Sequence, residues 1–101
     1  LLGLGDDGHT ASLFPYKKIN NNNDLVIFSE GKGLKRISLT PKILSASREL
    51  AFLVSGSSKQ IALKRLINKD ESFDRTPAKL INPKKDIIVF CDYEASKQLP
   101  L

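Results

Sequence analysis

The sequence has few of the residues on which several classes of protein depend. It contains one cysteine, one histidine, no tryptophan and only seven aromatic side chains in all. Cys91 therefore has no intrachain disulfide partner, and we predict no metal cluster built from nitrogen and sulfur ligands. Cys91 lies in the apolar run of residues 87–91, which predicts packing in the core. A lone thiol is typical of a reducing compartment, so we expect a cytoplasmic protein.

Long hydrophobic runs are also missing. The longest, residues 50–54 and 87–91, are far too short to cross a bilayer, so we expect no membrane partner. The net charge is +5, but lysines and arginines are scattered among acidic residues without a basic block or a nucleic-acid-binding motif. We therefore expect no nucleic-acid partner. Most of the charge is predicted to be solvated, which leaves a few cations for a small anionic ligand.

Apolar runs alternate with helix-like segments along the chain. This order predicts an α/β domain with a largely parallel sheet and flanking helices, of the open doubly wound type. The continuously apolar residues 50–54 predict a strand covered on both faces, and residues 16–24, with four consecutive asparagines, predict an exposed loop. We expect strands at residues 1–4, 25–28, 36–40, 50–54 and 86–91, and helices at residues 10–14, 41–48, 59–68, 76–80 and 93–98.

The chain opens directly on its most distinctive motif. We therefore interpret residues 1–101 as the C-terminal part of a single domain whose N-terminal half is absent. Thr40, Thr76 and Asp92 each precede a predicted helix and are expected to act as N-caps.

Glycines at the start of the chain fit the dinucleotide-binding pattern G-x-G-x-x-G, which brings backbone amides close to a pyrophosphate. Asp6 and Asp7 occupy the turn, where their charge would repel that anion, so the pattern disfavours a dinucleotide. What remains is His9 beside carboxylates at the end of a strand. A neutral imidazole there can accept a proton from water. The alternative is a histidine that caps a turn beside solvated aspartates.

Two cations are candidates for binding an anion. Lys59 lies in the first turn of a predicted helix, where the helix dipole disfavours a cation unless an anion compensates it. Together with the amides near Ser57 and Ser58, it would form a phosphate site. Arg36 begins a strand and could pair with a phosphate or carboxylate oxygen. The alternatives are a lysine that extends to water and an ordinary surface arginine.

Residues 2–15 resemble the signature of the 6-phosphogluconolactonases, a family that shares its fold with the glucosamine-6-phosphate deaminases. The resemblance continues through residues 36–41, 52–59 and 76–81 and through the strand that ends at Asp92. It implies a hydrolase that opens 6-phosphoglucono-δ-lactone to 6-phosphogluconate in the oxidative pentose phosphate pathway, without a cofactor or metal. The partner implied is this small phosphosugar lactone.

The resemblance also assigns roles to residues. It implies that His9 is the general base on water, and the deaminases imply that Asp7 orients the imidazole. Lys59 is implied to hold the substrate phosphate, with Arg36 as a second cation, and we place Gly5 and Gly8 at the same substrate site, which makes the expected set His9, Asp7, Lys59, Arg36, Gly5 and Gly8.

One departure separates the two branches of the resemblance. Five residues after the histidine the deaminases carry a glutamate that relays protons, and this sequence has Phe14 there. Phenylalanine cannot relay a proton, which favours the lactonase. An amino-sugar-phosphate deaminase or isomerase and a non-catalytic sugar-phosphate-binding module remain alternatives. The family's glycine-rich phosphate loop would lie in the absent half, so we expect the 101 residues alone to be inactive.

Overall fold

The computed structural model describes residues 1–19 and 23–100. In chain order the elements are strands β1 (Val26–Gly31) and β2 (Leu34–Leu39), helix α1 (Pro41–Ser45), strand β3 (Ala51–Val54), a 3-10 turn (Ser57–Lys59), helix α2 (Gln60–Ile67), a second 3-10 turn (Pro77–Leu80), strand β4 (Ile88–Cys91) and helix α3 (Tyr93–Ser96). Helices and strands alternate through the second half, which agrees with the predicted α/β class.

A parallel pair of strands organises the core. β3 pairs with β4, with Phe52 opposite Val89, and Leu2 adds a parallel bridge to Phe52 on the other edge of β3. Residues 1–4, predicted as a strand, thus lie beside β3 but form a single bridge and not a full strand. Phe52 and Val54 of β3 belong to the same hydrophobic cluster as Ala62 and Leu63 of α2. The most deeply buried apolar side chains are Phe52, Val54, Leu13, Leu63, Ala62, Ala78 and Ala95.

A small parallel sheet with helices is present as predicted, but two of the predicted strands do not belong to it. β1 and β2 form a separate antiparallel hairpin, with Val26 opposite Leu39 and Gly31 opposite Leu34. Lys32 and Gly33 make its turn, both with positive φ. A two-residue turn reverses the chain directly, so these strands pair with each other instead of joining the parallel pair.

β3 and β4 are also covered on one face only, contrary to the prediction for residues 50–54. Phe52 and Val54 are buried, whereas Leu53 is 56 % exposed and its partner Phe90 is 55 % exposed. Successive side chains of a strand point to opposite faces. One face therefore packs on the core and the other presents apolar side chains to solvent. Cys91 is exposed as well, which corrects its predicted place in the core.

Two of the three predicted N-caps are confirmed, and the third is wrong. The Thr40 hydroxyl accepts the Ile43 amide at the start of α1, and the Asp92 carboxylate accepts the Ala95 amide at the start of α3. The Thr76 side chain makes no cap hydrogen bond. Its hydroxyl donates to Glu71 instead, at 2.6 Å.

Two of the predicted helices differ from the structure: one is shorter and the other does not form. α1 ends at Ser45 and not near residue 48, because the Ala46 and Ser47 amides bond back over three residues and tighten the last turn. Residues 10–14 form no helix. Ala11 has φ of 49° and Thr10 bridges Leu13, and a left-handed residue is incompatible with a right-handed helical turn.

Two further predictions concern the loop at residues 16–24 and the crossing of a membrane. Tyr16 is 73 % exposed, in keeping with the loop predicted at residues 16–24; residues 20–22 of that prediction lie outside the described residues. Across residues 1–19 and 23–100, every helix is too short or too polar to cross a membrane.

A buried carboxylate fixes the segment before the second 3-10 turn. Glu71 accepts hydrogen bonds from the Arg75 guanidinium, four residues later, and from the buried Thr76 hydroxyl. The hydrogen bonds from Arg75 are the main reason that the pKa of Glu71 falls from 4.5 to about 2. The stability that this carboxylate contributes is complete above about pH 4.5 and is lost as the pH falls toward 2.

We predict that Glu71→Gln lowers the free energy of unfolding by about 1–3 kcal/mol at neutral pH, because Arg75 and Thr76 lose their charged acceptor. Thermal unfolding of the protein from pH 7 to pH 2.5 measures this. The difference between variant and wild type should shrink as the pH falls below 4.5. Glu94→Gln, at an exposed carboxylate paired with Lys97 at 3.0 Å, is the matched control and should change stability little. Equal losses in the two variants would contradict the prediction.

Candidate active site

Backbone hydrogen bonds close the loop that carries the motif. The Gly5 amide donates to the His9 carbonyl at 2.8 Å, and the Gly8 amide donates to the Gly5 carbonyl at 2.9 Å. The Thr10 hydroxyl donates to the Gly3 carbonyl at 2.7 Å. Because the preceding Leu2 is bridged to β3, the loop begins at the edge of the parallel strands. These bonds fix the direction in which residues 6 to 9 project.

Asp7 holds the imidazole of His9. One carboxylate oxygen of Asp7 lies 2.6 Å from Nδ1 of His9 and accepts the His9 backbone amide at 3.0 Å. An ionised carboxylate only accepts, so Nδ1 carries the proton and Nε2 keeps its lone pair. Burial acts to raise the pKa of Asp7, but hydrogen bonds from His9 outweigh burial, so the pKa is lowered. The dyad therefore pairs an ionised carboxylate with an imidazole that can accept a proton at Nε2.

Gly5 lies directly against the imidazole. A Cβ atom at residue 5 would collide with Nδ1 and Cε1 of His9 and would lie 2.8 Å from the nearer carboxylate oxygen of Asp7. Only glycine leaves room for the ring in this position. The amides of Gly5 and Gly8 already donate within the loop, so the predicted part of these glycines in phosphate binding stays a prediction.

Gly8 supplies the sharp bend of the loop. Its φ is +92°, a conformation that other residues rarely adopt, and a Cβ there would lie 3.1 Å from the Thr76 side chain. The Ala78 amide donates to the Gly8 carbonyl at 3.2 Å. Thr76, held by Glu71, thus packs against the residue before His9. The sequence did not reveal that Glu71 and Thr76 support Gly8; the spacing of four residues from Glu71 to Arg75 was the available signal.

Phe14 joins the imidazole to the hairpin. The ring centroids of Phe14 and His9 are 4.7 Å apart, and the Arg36 guanidinium lies 5.1 Å from the Phe14 centroid. Gly31 makes room for Phe14, since a Cβ at residue 31 would collide with the ring. Nε of Arg36 donates to the Gly31 carbonyl at 3.1 Å. Arg36 and His9 therefore both contact the Phe14 ring. No pattern in the sequence predicted this arrangement.

Lys59 approaches the same loop through Asp6. Its Nζ lies 2.7 Å from a carboxylate oxygen of Asp6, and this hydrogen bond is the main reason that the pKa of Asp6 is lowered. Lys32, in the hairpin turn, lies 3.9 Å from the other oxygen of Asp7. Asp6 thus forms an ion pair with Lys59, and the adjacent Asp7 forms a hydrogen bond with His9. No pattern in the sequence indicated that Asp6 pairs with Lys59.

A cavity of about 520 Å³ lies between the hairpin and residues 12–19. Phe14 and Arg36 line this cavity together with Lys17, Lys18 and Lys35, whereas His9 and Lys59 are not part of its lining. In the part of the chain that the structure describes, no group of three histidine, cysteine, aspartate or glutamate side chains is arranged to hold a metal ion. The chemistry available here is that of the imidazole, the carboxylates and the cations.

A family model of glucosamine-6-phosphate isomerases/6-phosphogluconolactonase matches residues 1–90. The chain belongs to this family. A 6-phosphogluconolactonase from Synechocystis is 39 % identical over 100 residues, covering 98 % of this chain and 42 % of the relative. The crystal structure of a devB protein superposes with a TM-score of 0.84 at 28 % identity, covering 98 % of this chain and 43 % of that one.

A 6-phosphogluconolactonase from Thermotoga maritima, 32 % identical, has a TM-score of 0.74 over 89 % of this chain and 40 % of its own. The family resemblance of residues 2–15 is therefore confirmed. The chain spans about two fifths of the length of these relatives.

The close approach of Gly5 to the imidazole of His9 leads to a testable prediction. We expect Gly5→Ala to displace the imidazole and break the Nδ1 hydrogen bond to Asp7, because the new methyl group would occupy the place of the ring. His9 is the only histidine, so its ring nitrogens give unambiguous signals in nitrogen-15 spectra, and the Nδ1 signal should lose its hydrogen-bonded character.

Gly3→Ala is the matched control, since nothing lies within 4 Å of a Cβ at residue 3. Its imidazole spectrum should remain that of the wild type. An unchanged Nδ1 signal in Gly5→Ala would show that the ring is not held as described.

Proposed function

We propose that this chain contributes the catalytic base and part of the phosphate site of a 6-phosphogluconolactonase, which hydrolyses 6-phosphoglucono-δ-lactone to 6-phosphogluconate. The observation that carries the proposal is the His9–Asp7 dyad, with Nδ1 held at 2.6 Å from the carboxylate and Nε2 left as the acceptor. The names of the relatives support the choice of substrate. The reaction would belong to the oxidative pentose phosphate pathway.

In the proposed mechanism Nε2 of His9 removes a proton from water while the water oxygen bonds to C1 of the lactone. The carbonyl electron pair moves onto its oxygen, and backbone amides near the loop stabilise the oxyanion. When the intermediate collapses, the bond from C1 to the ring oxygen breaks, and the imidazolium returns its proton to that oxygen. One water is consumed, and neither a covalent adduct nor a cofactor takes part. Asp7 stabilises the imidazolium while it exists.

The phosphate of the substrate is proposed to bind the two cations. Lys59 is a compact charge and Arg36 a planar fork, and both suit phosphate oxygens. Lys59 borders the loop through Asp6, and Arg36 borders it through Phe14. Gly5 and Gly8 are proposed to shape the substrate site by admitting the ring and bending the loop.

Phe14 favours hydrolysis over the deaminase reaction. Its ring is 4.7 Å from that of His9 and is 5 % exposed, so the residue nearest the imidazole on this side holds no proton to exchange. A single base acting on water needs no such relay. This contact also favours an enzyme over a simple binding module, since it serves the orientation of the imidazole.

We also propose that residues 1–101 are the C-terminal part of one lactonase domain with an open doubly wound sheet, truncated at its N-terminus. The relatives are more than twice as long as this chain, and the uncovered face of β3 and β4 presents Leu53, Ile88 and Phe90. Helices on both faces are the rule for such sheets. The exposed thiol of Cys91 suits a cytoplasmic enzyme, because thiols stay reduced there.

The dyad is tested by His9→Ala in the full-length enzyme. We expect kcat/KM for the lactone to fall by about 100- to 10,000-fold, since water loses its base. The rate is measured as acid release after subtraction of the spontaneous hydrolysis of the lactone. Asp7→Asn should retain an intermediate rate.

Wild-type kcat/KM in His9→Ala would show that His9 is not the base. Ammonia release from glucosamine 6-phosphate by the wild type would indicate the deaminase. Calorimetric binding of a phosphosugar without any turnover would indicate a binding module.

The domain proposal predicts that the isolated 101 residues hydrolyse no lactone, because part of the phosphate site would be absent. Adding the separately expressed N-terminal half should restore turnover if that half covers Leu53 and Phe90. Full activity of the 101 residues alone would contradict the proposal.

A further inference from the structure

Lys59 already has an anionic partner. Its Nζ lies 2.7 Å from Asp6, and the lysine side chain is 27 % exposed while that of Asp6 is 61 % exposed. The lysine precedes α2, where the helix dipole makes a lone cation unfavourable. Asp6 therefore compensates a charge that would otherwise be unfavourable at this helix end.

The partner of Lys59 is not rigidly held. The causes that lower the pKa of Asp6 are its contacts with Lys59 and the Ser58 side chain and the charge of Lys32, set against slight burial. The carboxylate is mostly in water, so it can turn away from Lys59 without leaving a buried charge unpaired. By contrast, Asp7 is tied to both the amide and the ring of His9.

A second anion at Lys59 must contend with this carboxylate. If the anion takes the place of Asp6, the lysine exchanges one ion pair for another; if it binds alongside, the two anions repel each other. A singly charged carboxylate gains little by the exchange. A phosphate monoester carries a charge of about −1.5 to −2 at neutral pH and gains more.

From this geometry we infer that Asp6 is a resident counterion of Lys59, which the substrate phosphate must displace, and that Asp6 thereby sets the affinity of the site for phosphate. The inference rests on the proposed function, in which Lys59 binds the substrate phosphate. Asp6 keeps Lys59 neutralised in the free enzyme. Its cost is a lower affinity for phosphate than Lys59 alone would give.

Asp6→Asn in the full-length enzyme tests the inference. We expect it to bind inorganic phosphate about three- to tenfold more tightly than the wild type in calorimetric titration at low salt. Added salt should reduce the difference. The KM for the lactone should fall by a similar factor. Acetate should gain affinity by a similar factor, because it too must displace the carboxylate of Asp6 from Lys59.

Two further variants separate the possible failures. Asp70→Asn makes the same charge change beyond the other end of α2 and should leave both affinities and turnover at wild-type values. Lys59→Ala should lose phosphate binding. Unchanged phosphate affinity in Lys59→Ala would overturn the proposed phosphate site itself. Loss of phosphate binding in Lys59→Ala, with unchanged or weaker binding in Asp6→Asn, would leave that site intact and overturn the role of Asp6.

Discussion

The imidazole of His9 occupies space that is free only because residue 5 is a glycine. Gly5 provides that space, and the Asp7 carboxylate fixes the ring in it through the bond to Nδ1. A hydrogen bond from the Gly5 amide to the His9 carbonyl closes the loop, so the same residues set both the backbone and the ring. The direction of Nε2, and with it any chemistry on water, follows from this close approach.

Two further contacts hold the loop in place. Phe14 packs on the imidazole from the hairpin side, and Thr76 packs against Gly8 from the second 3-10 turn. Thr76 is fixed in turn by Glu71, whose carboxylate is paired with Arg75. Segments far apart in sequence thus converge on one bend. A buried, fully paired carboxylate makes that support rigid at neutral pH.

The two adjacent carboxylates of the site have partners within the chain. Asp6 and Asp7 stand next to each other and would repel if left alone, but Lys59 pairs with Asp6, while Asp7 accepts hydrogen bonds from His9 and lies 3.9 Å from Lys32. The loop can therefore carry two carboxylates close to a predicted anion site. This compensation also means that the affinity for a phosphate depends on what Lys59 gives up, and not on its charge alone.

Local sequence patterns predicted much of the second half of the fold. The apolar runs predicted β3 and β4, and the hydroxyl and carboxylate N-caps predicted the starts of α1 and α3. The hairpin strands were found too, but their pairing was not, because pairing depends on which strand is adjacent in space. Residues 10–14 were misassigned as a helix because the left-handed backbone of Ala11 leaves no signal in the apolar pattern of the sequence.

By itself the sequence determined the family, the dyad of His9 and Asp7, and the alternation of strands and helices, because these depend on neighbouring residues and short spacings. Tertiary structure alone decided that Asp6 faces Lys59, that Arg36 lies on Phe14 and that Glu71 supports Gly8 through Thr76. Those contacts join residues from separate elements. Their partners are chosen by how the elements pack, which no local pattern encodes.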